Sequence, residues 1–315
     1  MKKLIALLLV LVMALSVVAC TPSSSSGGTN TGNNSTGNNS GNNSGENQTP
    51  ELKVPSGPND DLVLDANGMG YCGVCGGSPV EWEPLTGSVG EIKDVGHKHY
   101  YLAEDNIVSF GVDLNGYFLW ARANASVCLH LNNKTIDVHG ALRSGNGNVL
   151  NVMGKGTMNF KATSTNDIAN RSLFLMESAT LTIYGGTYTC VEGTETIGTS
   201  EQGTPTISLK GDATFSNVSC TLGALTVDGD VKIDKLVVGP STNPSKQGAV
   251  GKVWITKNFA GEVKSFSFPG AMVDNKVPAT YAAAMGAFTG KITTADGVAL
   301  AGSQGALVAA TQAAQ

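Results

Sequence analysis

Charge is scarce in this chain. Only 14% of its 315 residues are Asp, Glu, Lys or Arg, three of them arginine, and no basic run follows Lys2 and Lys3. With a net charge of −5, this excludes nucleic acid as the partner, because a phosphate backbone is met by clustered cations. Helical periodicity is also missing between residues 107 and 270. The cysteines (Cys20, Cys72, Cys75, Cys128, Cys190 and Cys220) are too few for a disulfide-held scaffold, and lipidation of Cys20 would leave an odd five. What the chain has in plenty is glycine, 40 residues of it, with much Thr, Ser and Asn. These residues supply the backbone angles of tight corners and point to an all-β protein.

Residues 1–19 read as a secretory signal peptide, two lysines followed by a largely apolar run. That run is shorter than the roughly 20 apolar residues a membrane-spanning helix needs. It ends in VVAC, which resembles the lipobox of bacterial lipoproteins. The resemblance implies cleavage before Cys20, acylation of its thiol and an extracytoplasmic protein held to the cell membrane by lipid. Residues 20–58 then form a linker. Between Pro22 and Pro50 nothing apolar occurs, so the segment has no means of offsetting ordering entropy and spans roughly 30 Å as a coil.

From residue 107 to 270 one phrase returns: alternating apolar residues, a small or polar corner, then a second alternating run. LHLNNKTIDV shows it first, and Asn133, Gly154, Ser178, Gly211, Gly229 and Lys257 serve as corners at intervals of 18 to 33 residues. Two and four positions before each corner every residue is apolar, including Phe174 and Met176 before Ser178. Units that cannot bury their inner faces alone must stack. The expectation is a right-handed parallel β-solenoid of about six irregular coils. A sandwich of antiparallel hairpins is the competing fold, but the Asn-Gly turns at 67–68 and 115–116 both precede the first copy of the phrase at 129–138. Residues 59–106 read as a small Cys-containing N-terminal cap, with Trp82, Tyr100, Tyr101 and Leu102 covering the open end of the first coil. Residues 271–315 read as a C-terminal cap and tail, with two hairpin-like runs closing the last coil.

Chemistry is concentrated in the N-terminal cap. Cys72 and Cys75 lie in a C-x-x-C-G-G turn, and thiolates so spaced can take two corners of a tetrahedral zinc. His97 and His99 are possible partners, since His-x-His puts both rings on one strand face. A local disulfide, favoured outside the membrane, and a pair of reduced thiols remain open at this stage. Cys128, Cys190 and Cys220 read as small buried groups on the stack. Asp228 and Asp230 flank the Gly229 corner, with Asp212 one coil away, and form the candidate calcium cluster or hydrolytic carboxylates. Tyr184, Tyr188 and Trp254 are the candidates for stacking on a sugar.

CGVCGG with VEW, GHKHYYLAED, VCLHLNNKTI and the terminal FTGKITTADGVALAGSQGALV together resemble a group of surface proteins of Clostridia-like bacteria. The resemblance spans roughly residues 70–310 and implies a right-handed β-helix akin to the pectate-lyase fold. Its motifs are structural and bring no catalytic residue. The expected function is binding or adhesion to a glycan or a surface protein, without catalysis; a polysaccharide lyase or glycoside hydrolase of the β-helix class is the alternative.

Overall fold

A computed structural model describes residues 51–86, 96–105, 117–121, 125–138, 141–144, 147–161, 172–191, 194–199, 203–240 and 248–310, with the backbone alone at 117–121, 141–144, 172–173 and 175–176. The signal peptide, Cys20, the linker up to residue 50 and the tail from 311 lie outside the described residues. So do parts of the two longest insertions in the repeat, at 192–193, 200–202 and 241–247.

The described chain is all-β, without a helix. A short antiparallel pair comes first, β1 (Met69–Gly70) with β2 (Val80–Glu81), followed by β3 (Glu83–Leu85), β4 (Gly96–Leu102) and β5 (Tyr117–Ala121). The repeat begins with β6 (Ala125–His130), β7 (Thr135–Val138) and β8 (Ala141–Ser144), then β9 (Val149–Met153), β10 (Thr157–Phe160) and β11 (Ser172–Met176). It continues through β12 (Thr180–Ile183), β13 (Thr187–Cys190) and β14 (Glu195–Thr199) to β15 (Thr206–Leu209) and β16 (Thr214–Cys220). Then come β17 (Ala224–Val227), β18 (Lys232–Val238), β19 (Lys252–Ile255) and β20 (Glu262–Ser267). The last four strands are β21 (Ala282–Ala284), β22 (Lys291–Thr294), β23 (Ala299–Ser303) and β24 (Ala306–Ala309).

Two large sheets collect these strands. The first has nine, all parallel, in the order β3-β4-β6-β9-β12-β15-β17-β19-β21. The second has thirteen: a main path β5-β8-β11-β14-β16-β18-β20-β22-β23-β24, and a branch β7-β10-β13 that joins at β16. From β6 to β14 each strand of the first sheet is followed by two of the second, and from β15 to β22 the chain alternates between the sheets. Parallel ladders rule out the antiparallel sandwich; antiparallel pairing in the second sheet is confined to the closing meander β22-β23-β24.

Alternation explains the core. Val127, Leu150, Leu181, Ile207, Leu225, Val253 and Ala282 are register partners across seven strands, as are Leu129, Val152, Ile183, Leu209, Val227, Ile255 and Ala284. All are buried, and together with inward residues of the second sheet they form one core. Each such aliphatic side chain contributes about 1.5–3 kcal/mol by leaving water. Three aromatics fill the wider middle, with Tyr188 stacked on Phe215 at 4.9 Å and Phe174 5.6 Å from Tyr188.

The register corrects the phrase at LHLNNKTIDV, where Leu129 rather than Leu131 is the partner of Val152, and at LFLMESATLTIY. Phe174 belongs to β11 of the second sheet, whereas the partner of Leu129 and Val152 is Ile183 in β12. The corner of that turn of the chain is therefore at Tyr184–Gly186 rather than at Ser178. Tyr100 and Leu102 of β4 point into the core; Trp82 belongs to a second buried cluster, against which Tyr101 packs. Pro84 in β3 suits the sheet's free edge, where an N–H would otherwise be left unpaired.

Residues 51–82 lie against the outer face of the first sheet, fastened at successive corners. Asn59 donates through Nδ2 to the Tyr184 carbonyl and to Asp212 Oδ1, both at 2.7 Å, and its Oδ1 accepts from Gly154 N. His130 accepts from Asn132 N at Nδ1, so its Nε2 carries the proton and donates to the Asp60 carbonyl at 3.0 Å. Leu62, Leu64, Val74 and Val80 pack around Cys72, Trp82, Cys128 and Met153 beneath this strap.

Candidate metal centre

The strap carries the Cys72–Cys75 turn over the outward side chains of β4 and β6. In β4 the alternation that sends Tyr100 inward sends His97 and His99 outward. In β6 Val127 and Leu129 go in, and Ser126, Cys128 and His130 go out. Parallel register then pairs His99 with Cys128 and His97 with Ser126. The turn itself is tight: Gly76 N donates to the Cys72 carbonyl at 3.1 Å, and Gly76 takes a φ of +64°. Gly73 passes so near Gly57 that a Cβ there would sit 2.7 Å from the Gly57 carbonyl oxygen.

The result is one group of donors. Cys72 Sγ, Cys75 Sγ, Cys128 Sγ and an imidazole nitrogen of His99 all lie within 4.8 Å of one another; away from this cluster no set of three or more His, Cys, Asp or Glu converges in this way among the described residues. Cys75 Sγ is 3.6 Å from Cys128 Sγ and 3.4 Å from His99 Nε2. Two sulfurs each about 2.3 Å from a tetrahedral zinc stand about 3.8 Å apart, and a sulfur and a nitrogen about 3.5 Å. The donor spacings therefore fit one metal ion. Cys72, Cys128 and His99 are buried, while Cys75 is exposed. His97, also exposed, brings Nε2 to 3.1 Å from Cys75 Sγ, 3.2 Å from His99 Nε2 and 3.9 Å from Cys128 Sγ.

Surrounding groups hold the donors in place. Cys75 N points at Cys72 Sγ at 3.4 Å, and Asn151 Nδ2 at Cys128 Sγ at 3.8 Å. The Trp82 ring meets His99 edge-on at 5.1 Å, and Ser126 Oγ bonds His97 Nδ1 at 2.7 Å. Partners of this kind orient a ligand and set its basicity.

The electrostatics favour a bound cation. Hydrogen bonds from Cys128, Cys75 and His99 hold the Cys72 thiol far below its ordinary range, so the first thiolate forms there. Cys75, although its bond with Cys128 acts the other way, is pushed up to about 11 by the bond and charge of Cys72 and by burial. Bonds to Cys72 and Cys75, followed by burial, push Cys128 strongly upward. Three neighbouring thiolates repel one another, and a divalent cation is what makes the full set accessible.

Sequence reasoning found Cys72, Cys75, His97 and His99, and the structure brings all four together. It missed Cys128, which is a cluster member rather than a simple apolar filler. Cys190 and Cys220 are free thiols whose sulfurs face the carbonyls of Thr194 and Leu222.

The other candidates lie apart. Tyr188, expected at a sugar-binding surface, is fully buried, and its hydroxyl donates to the Gly185 carbonyl. Tyr184 is half-buried beside the strap with Lys210 above its ring. Trp254 lies outward on the first sheet, five strands from Cys128 in one register row, or about 24 Å. The aspartates do not form a cation site: Asp212 accepts from Asn59 and Asp228 from Thr256 Oγ1, while Asp230 is exposed. Compared with family models, with curated proteins and with solved structures, the chain matches none, so the reading of the site rests on its own geometry.

Proposed function

We propose that this chain is a lipid-anchored, extracytoplasmic β-solenoid that holds one zinc ion between its N-terminal strap and its first coils. Cys72, Cys75 and Cys128 would supply thiolates and His99 an imidazole, a donor set that suits zinc among the abundant divalent ions. The convergence of these four donors within 4.8 Å of one another carries the reading. The regular passage of the chain between two parallel sheets supports the solenoid, and VVAC supports the lipid at Cys20. Bound there, the ion would fasten residues 51–82 to β4 and β6, covering apolar side chains that the sheet otherwise presents outward.

Metal analysis of the full-length protein tests this. The expected result is one zinc per chain, lost in Cys72→Ser; a metal-free protein after purification in zinc-containing buffer refutes it. Replacement of Cys20 by Ala is expected to abolish labelling by a radioactive fatty acid and to move the protein out of the membrane fraction.

A second reading is glycan binding at Trp254. Its ring lies on the outer face with Lys252 Nζ 4.2 Å from the centroid, an arrangement that offers a stacking surface and a hydrogen-bond donor together. Quenching of tryptophan fluorescence by oligosaccharides, absent in Trp254→Ala, is the expected outcome. Equal quenching in the variant rejects this reading.

A further inference from the structure

The centre has five donors, one more than a tetrahedral ion uses. Cys75, Cys128 and His99 form a shared face, and two side chains complete it in different ways. With buried Cys72 as the fourth donor the set is the compact one already described. With exposed His97 as the fourth donor, every measured spacing, from 3.1 to 3.9 Å, again fits the edges of a tetrahedron. His97 is also positioned as a ligand: the hydrogen bond between its Nδ1 and Ser126 Oγ holds the ring with Nε2 turned to the cluster, and in the tautomer in which Nδ1 donates to the hydroxyl Nε2 keeps its lone pair for the ion.

We infer that His97 is the landing and release ligand of this centre, and that the site is built to capture and give up a thiophilic divalent ion rather than to seal one in. This rests on the zinc reading above. On capture, an ion from solution meets Cys75 and His97, the two exposed donors, and is then taken by Cys128 and His99. A bond to Cys72 Sγ forms as the bond to His97 Nε2 breaks. Release runs in reverse: Nε2 takes the position that Cys72 leaves, the ion shifts toward solvent, and the Cys72 thiolate keeps its hydrogen bond from Cys75 N. No redox change occurs and no proton moves at His97; the two protons that the Cys75 and Cys128 thiols lose on capture pass to solvent, and both are taken back on release.

Transfer of zinc from the full-length protein to an excess of a chromogenic pyridylazo chelator, followed by stopped flow, tests the inference. Expected is that His97→Ala and His97→Gln keep one zinc per chain but load and release it at least about tenfold more slowly. Ser126→Ala, which leaves the ring and removes its orienting partner, is expected to slow both steps by a smaller factor. Unchanged or faster release in the His97 variants overturns the inference, since a side chain that merely shields the ion speeds its loss when removed. Failure of the zinc reading looks different: the wild-type protein then has no zinc to transfer.

Discussion

Replacement of Cys128 by alanine separates a ligand from a packing residue. The sulfur is fully buried, so a purely structural account expects a small loss of stability from one vacated sulfur site and no change in metal content. As a ligand, Cys128 is one of four donors in a site whose zinc affinity is worth about 10–16 kcal/mol at neutral pH, or about 2.5–4 kcal/mol for each donor. That corresponds to a dissociation constant weaker by about 10²–10³-fold, at 1.4 kcal/mol per decade. The strap stays in place without the ion, because Asn59 and His130 bond it to the sheet and Trp82 packs against His99 and His130. The variant is therefore expected to fold, to show a near-native circular dichroism spectrum, and to lose its zinc at a chelator concentration about 10²–10³-fold below the one the wild type requires. Cys190→Ala and Cys220→Ala, which remove a half-buried and a fully buried sulfur outside the cluster, are the controls and are expected to bind as the wild type does. Equal zinc affinity in Cys128→Ala and wild type, or an equal loss in Cys190→Ala, would show the argument to be wrong.

Zinc binding should depend steeply on pH. With Cys72 already ionised and with Cys75 and Cys128 held protonated at neutrality, binding releases about two protons, so affinity rises about 100-fold per pH unit between pH 6 and 8. Calorimetry in buffers of different ionisation enthalpy reads the number directly, and a value near zero contradicts the assignment. Asn59→Ala removes three hydrogen bonds that span the corners at Gly154, Tyr184 and Asp212, at a cost of about 2 kcal/mol. Amide exchange in residues 51–82 should accelerate by about 30-fold while the strands from β15 onward are unaffected. Gly211→Ala places a Cβ 2.1 Å from the Tyr184 carbonyl oxygen at a φ of +62°, so it should cost well over the 1–2 kcal/mol of left-handed strain alone. Gly297→Ala, at φ +82° with open space around it, should cost only that strain, and urea denaturation compares the two.

Much of the architecture could be read in the sequence. Leu209, Val227 and Ile255 stand in true register at the positions the phrase assigns them, even across the 28 residues from Gly229 to Lys257, because both neighbours must bury the same face. At LFLMESATLTIY the reading slipped: two apolar runs stand side by side in the chain but belong to different sheets, and alternation with a period of two does not say which sheet a strand joins. The donor set divides in the same way. Cys72 and Cys75 show themselves by local spacing, and His97 and His99 by sharing a strand face. Cys128, 53 residues beyond Cys75, has no local signal; an outward position in SVCLH was the one clue, and it acquires meaning only when β6 is laid beside β4. Sequence alone thus determined the β character, the scarcity of charge, the glycine corners and every donor of the site but Cys128. Tertiary structure decided which strands are neighbours and that the strap lies across them, because a metal centre is defined by distances of a few ångströms between side chains that the chain order leaves far apart.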